Sequence, residues 1–284
     1  APNAYPKPSV HWMIQTKSGE LHTIEDSSKT FDAEGNLWFS RVTADDALKN
    51  AYYTCAATSS FKSEYKLGKR VQLKVIRAEQ QDAMTLLNFT PIMQYVSMPH
   101  VVALRGQRTE LFCIYASSLS SDAVNASWSL NGTAINYDKR VKEKNFGKSL
   151  LIRDTRVEDR GTYTCDVLAT NEDGESRNQS SLIMLDVLAA PYFISHPMSK
   201  TIVENETSTV EFLCEIRGVP EANIEWTHNG KEISFTEERF SALKNKLTIM
   251  DLIKSDGGNY ACNATNKLGF AYKDFYLDIV KKRT

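Results

Sequence analysis

The chain has 284 residues, enough for two or three domains at about 100–200 residues each. Lys plus Arg is 34 and Asp plus Glu is 35, a net charge of −1, so no basic excess points to a nucleic-acid partner or an anionic membrane. The longest apolar runs, such as Leu182 to Leu185, fall far short of the ~20 residues that span a bilayer, and no membrane contact by this segment is expected.

In chain order, a proline-rich start (Pro2, Pro6, Pro8) leads to Trp12, a hairpin signal at Glu34-Gly35-Asn36, and then Tyr53-Thr-Cys55. Arg70 to Ile76 reads as a closing strand. A second frame opens with Leu111-Phe-Cys113-Ile-Tyr115, which reads as a strand. Trp128 follows Cys113 by 15 residues, and Asn131-Gly132 marks a turn. Lys148-Ser-Leu150-Leu-Ile152 is again strand-like. Asp159-Arg-Gly161-Thr-Tyr163-Thr-Cys165 closes the frame 52 residues after Cys113, and Asp173-Gly174 marks the next hairpin. A third frame repeats the order: Cys214, Trp226 after 12 residues, Asn229-Gly230, the strand pattern Lys246-Leu-Thr-Ile249, then Asp256-Gly-Gly258-Asn-Tyr260-Ala-Cys262. No stretch sustains helical periodicity, so the fold class is all-β.

The five cysteines include no Cys-x-x-Cys pair and have no His cluster nearby, which argues against a structural metal site. Disulfides or buried free thiols remain. The repeated Cys, Trp, Tyr-x-Cys order is the signature of the immunoglobulin domain, a sandwich of two antiparallel sheets. That signature implies disulfides Cys113–Cys165 and Cys214–Cys262 between the sheets. Trp12, Trp128 and Trp226 would pack in the cores, and Tyr53, Tyr163 and Tyr260 would sit at the corner entering the sixth strand. The short Cys-to-Cys gaps favour intermediate or C2-type domains. Cys55 has no leading partner, and the expected position of one lies upstream of Ala1. Residues 1–76 are therefore read as a partial domain without its first two strands, leaving Cys55 unpaired by truncation. A linker follows at 77–94, long enough for a fold-back, then domains at 95–189 and 190–280, with 281–284 beginning another linker.

Six Asn-x-Ser/Thr sequons occur, at Asn88, Asn125, Asn131, Asn178, Asn205 and Asn263. Asn125 and Asn131 each lie three residues from Trp128, and Asn263 adjoins Cys262, so all three should face away from the core. Residues 1–76 contain no sequon, which makes the first domain the expected place of protein contact. Glycans with disulfides imply the oxidising secretory route. No phosphate loop, nucleophile elbow or zinc-protease motif is present, and the five His are scattered. Neither an enzyme nor a cofactor or small-molecule substrate is expected. Asn171-Glu-Asp173-Gly174-Glu175 reads as a hairpin turn rather than a calcium loop, and no Arg-Gly-Asp tripeptide occurs.

Longer tracts resemble the insect neural cell-adhesion molecules of the immunoglobulin superfamily: Gly35-Asn-Leu-Trp-Phe-Ser40, Tyr52-Tyr-Thr-Cys55-Ala-Ala-Thr-Ser59, Glu110-Leu-Phe-Cys113-Ile-Tyr115 and Gly258-Asn-Tyr-Ala-Cys262-Asn-Ala-Thr-Asn266. The resemblance implies the second to fourth immunoglobulin domains of a cell-surface receptor, whose first four domains form a horseshoe bent at the first linker. It also implies adhesion to a second copy in trans, with other immunoglobulin-superfamily receptors as further partners, in axon growth and guidance. Ser117 to Asn125 is longer than that pattern. Asn3-Ala-Tyr-Pro-Lys-Pro8 fits the alternative, a soluble immune-recognition protein of insects with four similar domains, and an intracellular muscle-type scaffold is a third reading.

Overall fold

The computed structural model describes residues 8–59, 62–76, 89–195, 197–203, 209–235 and 238–280. The chain divides into two compact units. The first holds Ala1–Val101, Gly106–Thr155 and Arg160–Asp186; the second holds Val102–Arg105, Arg156–Asp159 and Val187–Thr284.

The first unit begins with strands β1 (Ser9–Thr16), β2 (Leu21–Thr23), β3 (Lys29–Phe31), β4 (Leu37–Phe39), β5 (Ala51–Ser59) and β6 (Lys62–Val71). They form a sheet ordered β2-β1-β5-β6 and a two-stranded sheet β3-β4. The closing strand differs from expectation. It ends at Val71 instead of running from Arg70 to Ile76. Val71 lies opposite Tyr53, and β5 has only Ala51 and Tyr52 left to pair beyond that point.

The middle domain contributes β7 (Ile92–Val96), β8 (His100–Leu104), β9 (Thr109–Ala116), β10 (Val124–Leu130), β11 (Thr133–Ala134), β12 (Val141–Lys144), β13 (Ser149–Ile152), β14 (Gly161–Thr170) and β15 (Ser176–Ser195). One sheet runs β12-β13-β9-β7, and β11-β10-β14-β15 forms the other. β7 starts three residues before the expected domain start at Tyr95, because Ile92 and Met93 already pair with Ala116 and Tyr115 of β9. Leu111, Cys113, Trp128, Leu150, Ile152, Cys165, Val167 and Ile183 fill the space between the sheets.

In the second unit, residues 189–195 of β15 pair with β18 (Glu215–Val219). The remaining strands are β16 (Lys200–Val203), β17 (Thr209–Leu213), β19 (Asn223–His228), β20 (Lys231–Glu232), β21 (Phe240–Leu243), β22 (Lys246–Met250), β23 (Gly258–Asn266) and β24 (Gly269–Val280). The sheets β16-β24-β23-β19-β20 and β17-β22-β21 enclose Phe212, Trp226, Leu247, Tyr260, Phe275 and Leu277. Phe212 and Phe275 lie with ring centroids 4.4 Å apart.

One local device recurs three times before the Tyr-x-Cys strand. A single 3-10 turn ends in a buried aspartate whose carboxylate accepts the amide three residues earlier: Asp46 from Thr43 at 2.6 Å, Asp159 from Arg156 at 2.7 Å, Asp256 from Ile253 at 2.8 Å. These bonds satisfy orphan amides of the turn. Asp46 is also paired with Lys29 at 2.6 Å and Asp256 with Arg239 at 2.7 Å, so these two buried carboxylates have cationic partners.

Candidate functional site

The signature residues meet in space. Cys113–Cys165 and Cys214–Cys262 form disulfides, and Trp128 and Trp226 stand opposite Cys165 and Cys262 on neighbouring strands. Trp12 stands opposite Cys55 in the same way. Two indoles are held alike: Trp12 Nε1 donates to the Gly35 carbonyl and Trp128 Nε1 to the Gly147 carbonyl, both at 2.8 Å. Trp226 Nε1 has no such partner among the described residues. The loop between β21 and β22 is two residues long, against four between β12 and β13, and brings no glycine carbonyl to the indole.

The tyrosine corner is present at Tyr260, whose hydroxyl donates to the Asp256 carbonyl at 2.6 Å. Tyr163 is buried at the corresponding place. Tyr53 departs from the expectation: it is buried, but its hydroxyl has no hydrogen-bond partner among the described residues. Seven residues separate Asp46 from Tyr53, against four from Asp256 to Tyr260, so the turn carries its carbonyls past the phenol. Cys55 is a free, half-buried thiol. Gly68 lies against it, where a Cβ would collide with Cys55 Sγ.

The sequon asparagines separate into two kinds. Asn125 is exposed on β10, where it faces Leu168 of β14, and Leu168 in turn faces the exposed Asn178 of β15. Asn263 lies on β23 between Glu225 of β19 and Tyr272 of β24. Their carboxamides make no hydrogen bond to the described residues, and all three point outward as the spacing predicts for Asn125 and Asn263. Asn131 differs. It sits in the turn after β10 with φ of 50°, followed by Gly132 with φ of 78°, and its Oδ1 accepts the Thr162 amide at 2.9 Å. Asn229 repeats the arrangement in the second unit, with φ of 51° and a 3.0 Å bond from the Asn259 amide, and Asn229 belongs to no sequon. Asn131 is a turn residue rather than an outward strand residue. Asn88 and Asn205 lie outside the described residues.

Within the first unit, the N-terminal segment lies against the middle domain. Trp38 and Tyr95 have ring centroids 6.1 Å apart, and Tyr95 packs edge-on to Phe112 at 6.1 Å. Burial and a hydrogen bond to the Glu34 carboxylate push the Tyr95 phenol well above its ordinary pKa. The Ser117 amide donates to the Ser40 carbonyl at 2.9 Å, and the Ser27 and Ser121 hydroxyls bond at 2.7 Å. Both serines of the middle domain belong to the long Ser117–Asn125 stretch, so the departure from the family pattern supplies contacts to the N-terminal segment. Lys148 is only 2% exposed here; its ammonium donates to the Ser27 carbonyl and lies 5.3 Å from the Tyr115 ring centroid. Burial pulls its pKa down to about 8, and the nearby Asp26 charge offsets only part of that. A cavity of about 170 Å³ lies beside it, lined among others by Arg41, Thr43, Leu119 and Ser120.

Asp26 and Lys29 pair within the N-terminal segment. Burial raises the Asp26 pKa, but hydrogen bonds from Lys29 and Ser28 outweigh it and hold the carboxyl at about 2. Burial works against the Lys29 ammonium, yet Asp26 and Asp46 raise its pKa overall. Sequence spacing did not single out Trp38 or Lys148. Trp38 was the one tryptophan left over from the Cys-Trp-Tyr frames, which was the available signal; Lys148 carried none.

Among the described residues no group of three or more His, Cys, Asp or Glu could hold a metal ion, and no helix is long and apolar enough to cross a membrane.

Residues 191–279 match the immunoglobulin I-set domain family, and residues 99–177 match the immunoglobulin domain family. Neuroglian of Drosophila melanogaster is 45% identical over 98% of this chain and 21% of its own length. Hemolin of Manduca sexta is 32% identical over 96% of this chain and 64% of its own. The chain thus spans about a fifth of neuroglian and just under two thirds of hemolin. Among solved structures, the insect immune protein hemolin, described as a domain arrangement with implications for homophilic adhesion, is 29% identical. It superposes with a TM-score of 0.70 over 98% of this chain and 69% of that one. The N-terminal four immunoglobulin domains of Dscam1 share the fold, at 21% identity and a TM-score of 0.59 over 95% of this chain and 65% of theirs. The fold and its relatives are those of non-enzymatic immunoglobulin-domain proteins. With both matched segments together spanning more than half its length, the chain belongs to the immunoglobulin superfamily.

Proposed function

We propose that this chain is an extracellular segment of a cell-surface adhesion receptor that pairs with a second copy on an opposed cell. The observation that carries the reading is the 45% identity to neuroglian across nearly the whole chain. Residues 1–76 would be part of one immunoglobulin domain, and 95–189 and 190–280 the next two. Adhesion of this kind needs no chemistry. Surfaces and strand edges on opposed molecules pair weakly, and many such contacts sum through avidity. The N-terminal segment is the favoured contact. It carries no sequon, and its sheet β2-β1-β5-β6 ends in two edge strands, β2 and β6.

The second reading, a soluble immune-recognition protein, is favoured by the hemolin superposition. Beads coated with the full parent protein test adhesion between copies, and a membrane-spanning segment in the parent separates the receptor from the soluble reading. Clumping of singly coated beads supports adhesion between copies. Folded protein that leaves beads dispersed counts against it.

A further inference from the structure

Among the described residues of the C-terminal domain, three of the four exposed aromatic residues lie on one strand, Phe235 being the fourth. Phe270, Tyr272 and Tyr276 are 70%, 55% and 52% exposed, and they alternate along β24 on the face turned away from the core. Asp274 separates Tyr276 from the other two in that row, so Phe270 and Tyr272 form the contiguous aromatic area left open to water. The strand beside them carries Asn263, directly opposite Tyr272, on the same outward face. Cross-strand partners of this kind bring their Cβ atoms to about 4.5–5.5 Å. Asn263 begins the sequon Asn263-Ala-Thr265, and its carboxamide makes no hydrogen bond to the described residues. The middle domain repeats the pairing, since Asn125 and Asn178 flank exposed Leu168 on one cross-strand row.

We propose that Asn263 carries an N-linked oligosaccharide whose first N-acetylglucosamine lies against the ring face of Tyr272. The transfer forms a bond between Asn263 Nδ2 and the anomeric carbon of that sugar, from a lipid-pyrophosphate-linked oligosaccharide donor. It breaks the bond from that carbon to the pyrophosphate; the lipid pyrophosphate departs, and Nδ2 loses one proton to solvent. A pyranose presents a face of C–H bonds, and an aromatic ring presents an electron-rich face to such groups. The cross-strand geometry sets these two faces beside one another and removes apolar ring area from water. Asn131 stands apart from these pairs: it lies in the turn after β10, where its Oδ1 accepts the Thr162 amide.

The inference rests on the extracellular reading above, and the experiment keeps the two apart. The full parent protein, expressed in insect cells, is mapped by glycopeptide mass spectrometry at every sequon. Thermal unfolding of the C-terminal domain is then compared for the parent protein, Asn263→Gln and Thr265→Ala, each with and without Tyr272→Thr. The expected result is sugar at Asn263 and a midpoint lowered by about 3–6 °C when the sugar is lost, a difference that disappears in the Tyr272→Thr background. Sugar at other sequons with Asn263 bare overturns this inference alone. So does an occupied Asn263 whose loss shifts the midpoint equally with and without Tyr272, or not at all. Sugar at no sequon overturns the extracellular reading and this inference with it.

Discussion

The Trp38 and Tyr95 rings lie 6.1 Å apart across the seam between the N-terminal segment and the middle domain. Trp38 is fixed from its own side by a 2.8 Å bond from Nε1 to Asp32 Oδ2. Removing the ring deletes both the aromatic pair and the half-buried area. Trp38→Ala should therefore weaken the seam by about 2 kcal/mol, from roughly 1 kcal/mol of ring pairing plus lost burial. Urea unfolding followed by fluorescence should show an earlier transition for the N-terminal segment. An unchanged urea profile would show that the aromatic contact contributes nothing.

Lys148 gives the seam an alkaline signature. Its pKa is about 8 in the folded chain, below the 10.5 of a free lysine, so between these values the unfolded state binds more protons. Stability from this group should rise as pH goes from 8 toward 10, before tyrosine ionisation enters. Lys148→Met should lose that rise, because no desolvated ammonium remains to titrate, while also losing the bond to the Ser27 carbonyl. Urea midpoints at pH 7, 8.5 and 9.5 for both proteins test the sign.

Asp26 acts in the opposite range. Its folded pKa of about 2 lies below the ordinary 3.8, so its contribution is fully present above pH 3.8 and is lost as pH falls toward 2. Acid titration followed by circular dichroism should show a shallower loss between pH 4 and 2 for Asp26→Asn than for the parent protein. Identical acid profiles would remove Asp26 from the account.

Asn131 should behave as a structural residue. Asn131→Ala places a Cβ-bearing residue without a turn-forming amide at φ of 50° and orphans the Thr162 amide. A cost of about 0.5–1.5 kcal/mol is expected in denaturant unfolding, since water can reach the freed amide. Asn229→Ala should cost a similar amount in the second unit.

The Cys-Trp-Tyr frames were legible in the sequence because a disulfide and its packed indole fix both residue type and spacing. Asn125 and Asn263 were legible for the same reason, since strand alternation carries outward from a known core position. The seam was not legible. Trp38 meets Tyr95, and Lys148 meets Ser27, across sequence separations that no periodicity encodes. Asn131 is exposed as the offset from Trp128 leads one to expect, but it stands one residue past the end of β10, in the turn, so its Oδ1 bond to the Thr162 amide is not something strand alternation encodes. The Tyr53 corner failed for a similar reason: a three-residue difference in the preceding loop is visible in the sequence, but its effect on the hydroxyl is not.

The central claim is that copies adhere through the N-terminal segment, and a sugar placed on its edge strand tests it most directly. His22 is exposed on β2, and His22→Asn with Ile24→Thr creates a sequon there. Beads coated with this variant, shown by mass spectrometry to be glycosylated at position 22 and by circular dichroism to be folded, are compared with beads coated with the parent protein. The account predicts that parent beads clump and variant beads stay dispersed. Equal clumping of both would contradict it.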